Sequence, residues 1–204
     1  MTEGEKYLPR PPYETGVIHG RFQILHLDHM KYLLAGKALC RHLVVGITNP
    51  DPVLTRADPA DPARSSAAAN PLTYYERTVL LRSALVEGGI SLSDFTIVPF
   101  PINRPELYQY YLPLDAVFFL SIYDDWGIRK KELFRKSGLA IHVLREVPAE
   151  QKGLSATTIR EAIVNDQPWE HWVPVCVADQ LKKWNIPARL KKIMHETTCS
   201  EERL

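Results

Sequence analysis

Two histidines three residues apart stand in the string GRFQILHLDHM (20–30), just past a glycine and an arginine, where a strand gives way to a helix. This spacing puts His26 in the turn and His29 in the first helical turn. Helix starts carry free N–H groups and a partial positive charge, so they favour anions. Two imidazoles add donors aimed at the same place. Gly20 lets the backbone approach a ligand closely, and the fork of Arg21 suits a phosphate. A zinc reading fails, because H-E-x-x-H needs four-residue spacing and a glutamate. Phosphate binding and a purely structural pair both remain open. A second string, GLSATTIRE (153–161), offers Ser155 as an N-cap, Thr157 and Thr158 in the first turn and Arg160 on the same helix. Hydroxyls, free N–H groups and an arginine at a helix start again describe an anion site. A capped surface helix would use the same residues without a ligand.

The elements that must position these residues follow from apolar periodicity. GVIH (16–19), HLVVGIT (42–48), FTIVPF (95–100), DAVFFLSI (115–122) and LAIHVLRE (139–146) read as five strands. The fourth is nearly all apolar, as expected when both faces are covered. Leu27, Met30, Leu34 and Ala38 fall at helical spacings and predict one buried helix face. A helix from Leu72 opens with Thr73 and Glu76 in capping-box spacing and stops at the glycines 88–89. PELYQYYL (105–112) reads as a short helix, WGIRKKELFRKSG (126–138) as a longer one, and LSATTIREAIVND and VPVCVADQLKKW as two more. The alternation predicts an α/β, Rossmann-like doubly wound parallel sheet of five strands with helices on both faces. Ligands of such folds bind at the C-terminal strand ends, at the topological switch point.

The expected organisation is an N-terminal extension (1–14), one domain (15–185) and a polar C-terminal tail (186–204), with a long loop or lid over 49–71. That loop is rich in Pro, Ala, Asp and Ser, and loops of its length are uncommon and often functional. The 25 basic and 24 acidic residues leave no global field toward nucleic acid or a membrane. No apolar run is long enough to span a bilayer, and the N-terminus lacks the apolar region of a secretory signal. Three scattered cysteines without a CxxC pair point to a reducing compartment and no zinc site. The expectation is a cytoplasmic protein whose phosphate binding is local.

Taken together, GRFQ…H-x-x-H after strand one and S-x-T-x-x-R opening a late helix resemble the HxGH nucleotidyltransferase superfamily. The likeness is greatest to archaeal-type nicotinamide/nicotinate mononucleotide adenylyltransferases. NPLTYYER (70–77), VPFPI (98–102) and PWEHWVP (168–174) resemble further elements of that family, so the likeness spans residues 16–185. The resemblance implies transfer of the adenylyl group of ATP to nicotinate or nicotinamide mononucleotide, with release of pyrophosphate. It implies that His26, His29 and Arg160 stabilise the transferring phosphates, and that Gly20, Arg21, Phe22, Gln23, Ser155, Thr157 and Thr158 bind ATP. Mg²⁺ would bridge the phosphate oxygens with few protein ligands. Such relatives commonly assemble, so a homo-oligomer is expected.

The sequence departs from that family in four places. Asp28 replaces the glycine between the histidines, adding bulk and charge beside the nucleotide, accepting a hydrogen bond from its ribose or base, or capping the helix. Ile24 replaces a proline. Ala69 stands where a basic residue is usual, leaving Arg56 or Arg64 of the long loop as substitutes. The family's S-G-N becomes LSIYDDWGIRKK (120–131), so Ser121, Tyr123, Asp124, Asp125 and Trp126 are the candidate acceptor-binding residues. The tyrosines at 108, 110 and 111 could stack on a ring or fill the core, and His19, His42, His142, His171 and His195 default to packing or surface. The altered acceptor segment keeps open a related cytidylyl- or adenylyltransferase acting on another phosphorylated acceptor. A non-catalytic nucleotide sensor is disfavoured, since affinity alone does not require a transition-state constellation.

Overall fold

Five runs rich in Val, Ile, Leu and Phe form one parallel sheet in a computed structural model, which describes residues 10–52, 66–151 and 153–201. The strands are β1 (Tyr13–Gly20), β2 (Cys40–Thr48), β3 (Phe95–Phe100), β4 (Val117–Ile122) and β5 (Ala140–Glu146). Between and after them come α1 (Leu27–Ala38), α2 (Tyr74–Glu87), α3 (Asp125–Lys136), α4 (Ala156–Val164), α5 (Val175–Lys183) and α6 (Ile186–Glu201). The strand order is β3-β2-β1-β4-β5. The winding reverses between β1 and β4, which places the switch point there.

Alternation along the strands feeds two cores. Ile18, Leu43, Val45 and Phe119 pack with Leu33 of α1, Leu80 of α2 and Ile159 of α4. Val17, Val44 and Phe118 face the other way, onto Phe134 of α3 and Tyr108. A parallel sheet needs this double cover, because neither face can meet water. The expected five-stranded doubly wound fold is the one observed.

Three expectations are corrected. β1 begins at Tyr13, inside the expected extension. Helix α1 buries Met30, Leu33 and Gly36, while Leu27 and Leu34 are 41% and 39% exposed. The stripe is rotated because the helix approaches the sheet at Gly36, where a Cβ would lie 3.0 Å from Ile18 and 3.1 Å from Phe119. The expected tail is mostly helix α6, whose Ile186 and Leu190 are fully buried. The segment 105–112 is a short helix as expected, of 3-10 type (Pro105–Tyr110), with Tyr108 in the core and its hydroxyl donating to the Ile102 carbonyl at 2.6 Å. Most of the expected loop over 49–71, with Arg56 and Arg64, lies outside the described residues. Among those described, no helix is long and apolar enough to cross a membrane.

Candidate active site

The end of β1 is held by side chains that come from far along the chain. Phe22 takes a left-handed backbone (φ 52°) and buries its ring beside Gly20, where a Cβ would lie 2.9 Å from the ring. The Gln23 amide pairs with the backbone of Leu72 in both directions, accepting at 2.8 Å and donating at 2.9 Å. Arg77 is 2% exposed and donates to the carbonyls of Thr73, Arg21, Thr48 and Asn49, the last two at 2.8 and 2.7 Å. A guanidinium has donors only, so a nest of carbonyls suits it. Burial lowers its pKa to about 10, and it stays charged at neutral pH. Arg77 thus fixes the C-terminal ends of β1 and β2. Sequence reasoning quoted it within NPLTYYER without assigning it this work; its place one turn after the Thr73 cap was the available signal. That cap is a complete capping box with Glu76, as the spacing predicted.

His26 caps α1. It stands in extended conformation, and its Nδ1 accepts from the His29 N–H at 3.4 Å. The two rings stack with centroids 3.7 Å apart, and Phe22 meets His29 edge-on at 5.1 Å. Burial lowers the pKa of His26 to about 4 against the pull of Asp28. Burial, then His26 and Arg21, push His29 well below its ordinary value, opposed by a hydrogen bond to the Ile24 backbone. Both imidazoles are therefore neutral at pH 7. The His29 Nδ1 is buried with no hydrogen-bond partner. Anionic phosphates beside the pair would favour the protonated forms.

The second wall is the start of α4. Ser155 caps it, accepting from the Thr158 N–H at 3.1 Å. Asp28 reaches across to this wall, accepting from the Leu154 N–H at 2.7 Å and from Lys31 at 2.6 Å. The carboxylate that replaces a glycine therefore straps α1 to the loop before α4, and its charge is compensated. Gly153 suits the strap, with φ +82° and a would-be Cβ 2.5 Å from the Asp28 carboxylate.

These walls enclose a cleft of about 450 Å³ over the switch point. It gathers Gly20, Arg21, Phe22, Gln23, His26 and His29 from the first string, and Ser155 and Thr157 from the second. Ser121, Tyr123, Asp124 and Trp126 reach it from the end of β4. Three expected residues stand outside. The Thr158 hydroxyl pairs with Ser155 at 2.9 Å. Asp125 is exposed in the first turn of α3, because the cap there is Asp124, which accepts from Gly127 N–H at 2.9 Å. Arg160 donates to the Gln23 carbonyl and to Thr157, and faces an adjoining cleft shared with Arg21, Ala69 and Met194.

The cleft also takes in Asn103 and Lys130, which the sequence reading gave no role, and His19, which it assigned to packing or surface. His19 is 6% exposed, and neither ring nitrogen has a hydrogen-bond partner. Leaving such a buried group unpaired costs on the order of 1–3 kcal/mol. No group of three or more His, Cys, Asp or Glu side chains comes together to hold a metal among the described residues.

Comparison with known proteins fits this geometry. A cytidylyltransferase-like family model matches residues 17–162. A phosphonoformate cytidylyltransferase of Streptomyces viridochromogenes is 47% identical over 177 residues, covering 87% of this chain and 95% of the relative. A nicotinamide-nucleotide adenylyltransferase of Thermococcus onnurineus is 29% identical over 191 residues, with 93% of each chain covered. The fold resembles a bifunctional NMN adenylyltransferase/ADP ribose pyrophosphatase from Francisella tularensis, with TM-score 0.61 and 15% identity over 94% of this chain. The present chain spans 56% of that longer one.

Proposed function

The chain belongs to the cytidylyltransferase-like family of HxGH nucleotidyltransferases, and from that premise we propose that it transfers the cytidylyl group of CTP to a small phosphonate such as phosphonoformate. A phosphonate oxygen attacks the α-phosphorus of CTP, the bond to the β-phosphate oxygen breaks, and pyrophosphate leaves. The observation that carries this reading is the 47% identity to a phosphonoformate cytidylyltransferase across 95% of its length, against 29% to the adenylyltransferase. The cleft agrees in size. At about 450 Å³ it lies within the range of about 300–1,000 Å³ usual for ligand sites.

Catalysis of this kind is mainly positioning and charge stabilisation. In the proposed arrangement His26 and His29 meet the phosphates from one wall, and Ser155 and Thr157 from the other. Arg160 braces the Gln23 carbonyl and presents its charge from the adjoining cleft. Ser121, Tyr123, Asp124 and Trp126 border the acceptor. Mg²⁺ would neutralise charge on the triphosphate, with few ligands from the protein. The cleft suits that role, because its Asp28 and Asp124 carboxylates are already bonded to backbone N–H groups.

A second reading, adenylyl transfer to a pyridine mononucleotide, is favoured by the adenylyltransferase relative and by the fold. Pyrophosphate release with Mg²⁺ separates the two. CTP and ATP are each paired with phosphonoformate, nicotinamide mononucleotide and nicotinate mononucleotide. Release with CTP and phosphonoformate is expected. Release confined to ATP with a mononucleotide would replace the first reading by the second.

A further inference from the structure

Among the described residues, His19 is a buried polar side chain that the mechanism above leaves without work. His19 lies one residue before Gly20, and strand alternation turns it away from the His26–His29 wall onto the opposite face of the sheet. There its ring packs edge-on against Phe100 and Phe134, at 5.5 and 5.2 Å. Two aromatic edges hold the imidazole in place and offer it no hydrogen bond. Both nitrogens are buried and unpartnered, and the residue lines the cleft. A side chain that served packing alone would be better apolar, since buried polar groups in folded proteins are nearly always satisfied. Lys130, one turn beyond Trp126 on α3, lines the same end of the cleft, and its charge acts on the ring. Asn103, in the passage after β3, also lines the cleft.

We propose that His19, with Lys130 and Asn103, forms the subsite that reads the second acid group of the acceptor, the carboxylate that stays behind when the phosphonate attacks. The inference rests on the proposed phosphonate acceptor and says which end of it lies where. The phosphonate must point toward the histidine pair and the triphosphate. The rest of a compact acceptor then extends across the switch point, toward α3. A carboxylate arriving there takes an N–H from the imidazole, an N–H from the Asn103 amide and the charge of Lys130. Burial and Lys130 keep His19 neutral in the empty cleft, so it presents one donor there. A site built to bond an acid group rejects the analogue that lacks it, because its polar groups are then left unpaired.

The test compares phosphonoformate with methylphosphonate, which keeps the phosphonate and lacks the carboxylate, using wild type, His19→Leu and His19→Gln with CTP. For wild type, kcat/KM is expected to favour phosphonoformate. In His19→Leu that preference should fall at least tenfold, through KM for the acceptor and with less change in KM for CTP. His19→Gln, which retains a donor, should recover part of it. If the leucine variant fails to fold, the glutamine variant and Lys130→Gln carry the same comparison. Equal losses for both acceptors, or a preference that survives the substitutions, would overturn the subsite while the proposed function stands. No turnover of phosphonoformate by wild type would overturn the proposed function, and the subsite with it.

Discussion

At the residue scale, the site depends on two imidazoles kept neutral by burial and stacked within 3.7 Å. In the proposed reaction such a pair gains most as negative charge builds up beside it, which would put its contribution in the transition state more than in binding. His29→Ala should therefore lower kcat by about 10²–10³, the scale of one preorganised donor, and weaken CTP binding less; equal losses in steady-state and binding measurements would contradict this. The same burial gives the protein an acid limb. The folded pKa of His26, about 4, lies below the ordinary 6.5. The unfolded chain takes up that proton first, so stability present above pH 6.5 is lost as the pH falls toward 4. The full loss is roughly 3 kcal/mol from this group. His26→Asn keeps a side-chain acceptor for the cap and should shrink the difference between urea midpoints at pH 7 and pH 4.5. An undiminished difference would assign the acid limb elsewhere. These residues were legible in the sequence because they sit in short local strings. His19 was not, since one histidine in a strand looks like packing until its two unpartnered nitrogens and its place in the cleft are seen.

At the element scale, the join between α1 and α4 comes from the Asp28 carboxylate meeting the loop at Gly153 and Leu154, 126 residues away from Leu154 in the chain. Sequence reasoning saw the missing glycine at 28 and left open added charge beside the nucleotide, a hydrogen bond to it, or a helix cap. It could not see that the displaced flexibility reappears at Gly153, because nothing local links the two positions. Gly153→Ala must hold a left-handed backbone, which costs about 1–2 kcal/mol, and must also push the carboxylate aside. Asp28→Ala loses the Leu154 bond but removes that collision. The two changes together should cost less than their sum in a denaturant double-mutant cycle; strict additivity would mean the contact is not felt. Helix starts elsewhere were read correctly where the capping residues were adjacent, as at Thr73–Glu76. The buried stripe of α1 was misread because a glycine, invisible to hydrophobic periodicity, decides which side of the helix approaches the sheet.

Across the whole molecule, the alternation of strands and helices was enough to place the cleft at a switch point, and the order β3-β2-β1-β4-β5 puts it between β1 and β4. The end of the domain was less legible. The segment from Ile186 is polar overall, and among its described residues only Ile186 and Leu190 are fully buried, too few to announce a docked helix. Yet α6 reaches the site through a chain of contacts. Arg189 pairs with Glu76 at 2.8 Å, Glu76 closes the capping box of α2, and Arg77 beside it fixes the ends of β1 and β2 beneath the cleft. Removing residues 186–204 should therefore do more than trim a tail. Losing the burial of Ile186 and Leu190 costs about 3–6 kcal/mol at about 1.5–3 kcal/mol for each side chain, a large part of the stability of a domain this size. Urea unfolding of the chain ending at Asn185 should show that loss. Pyrophosphate release should fall further than the folded fraction does, because the survivors lack the Arg189 brace. A shortened chain with wild-type stability and turnover would show that α6 lies against the domain without supporting the site.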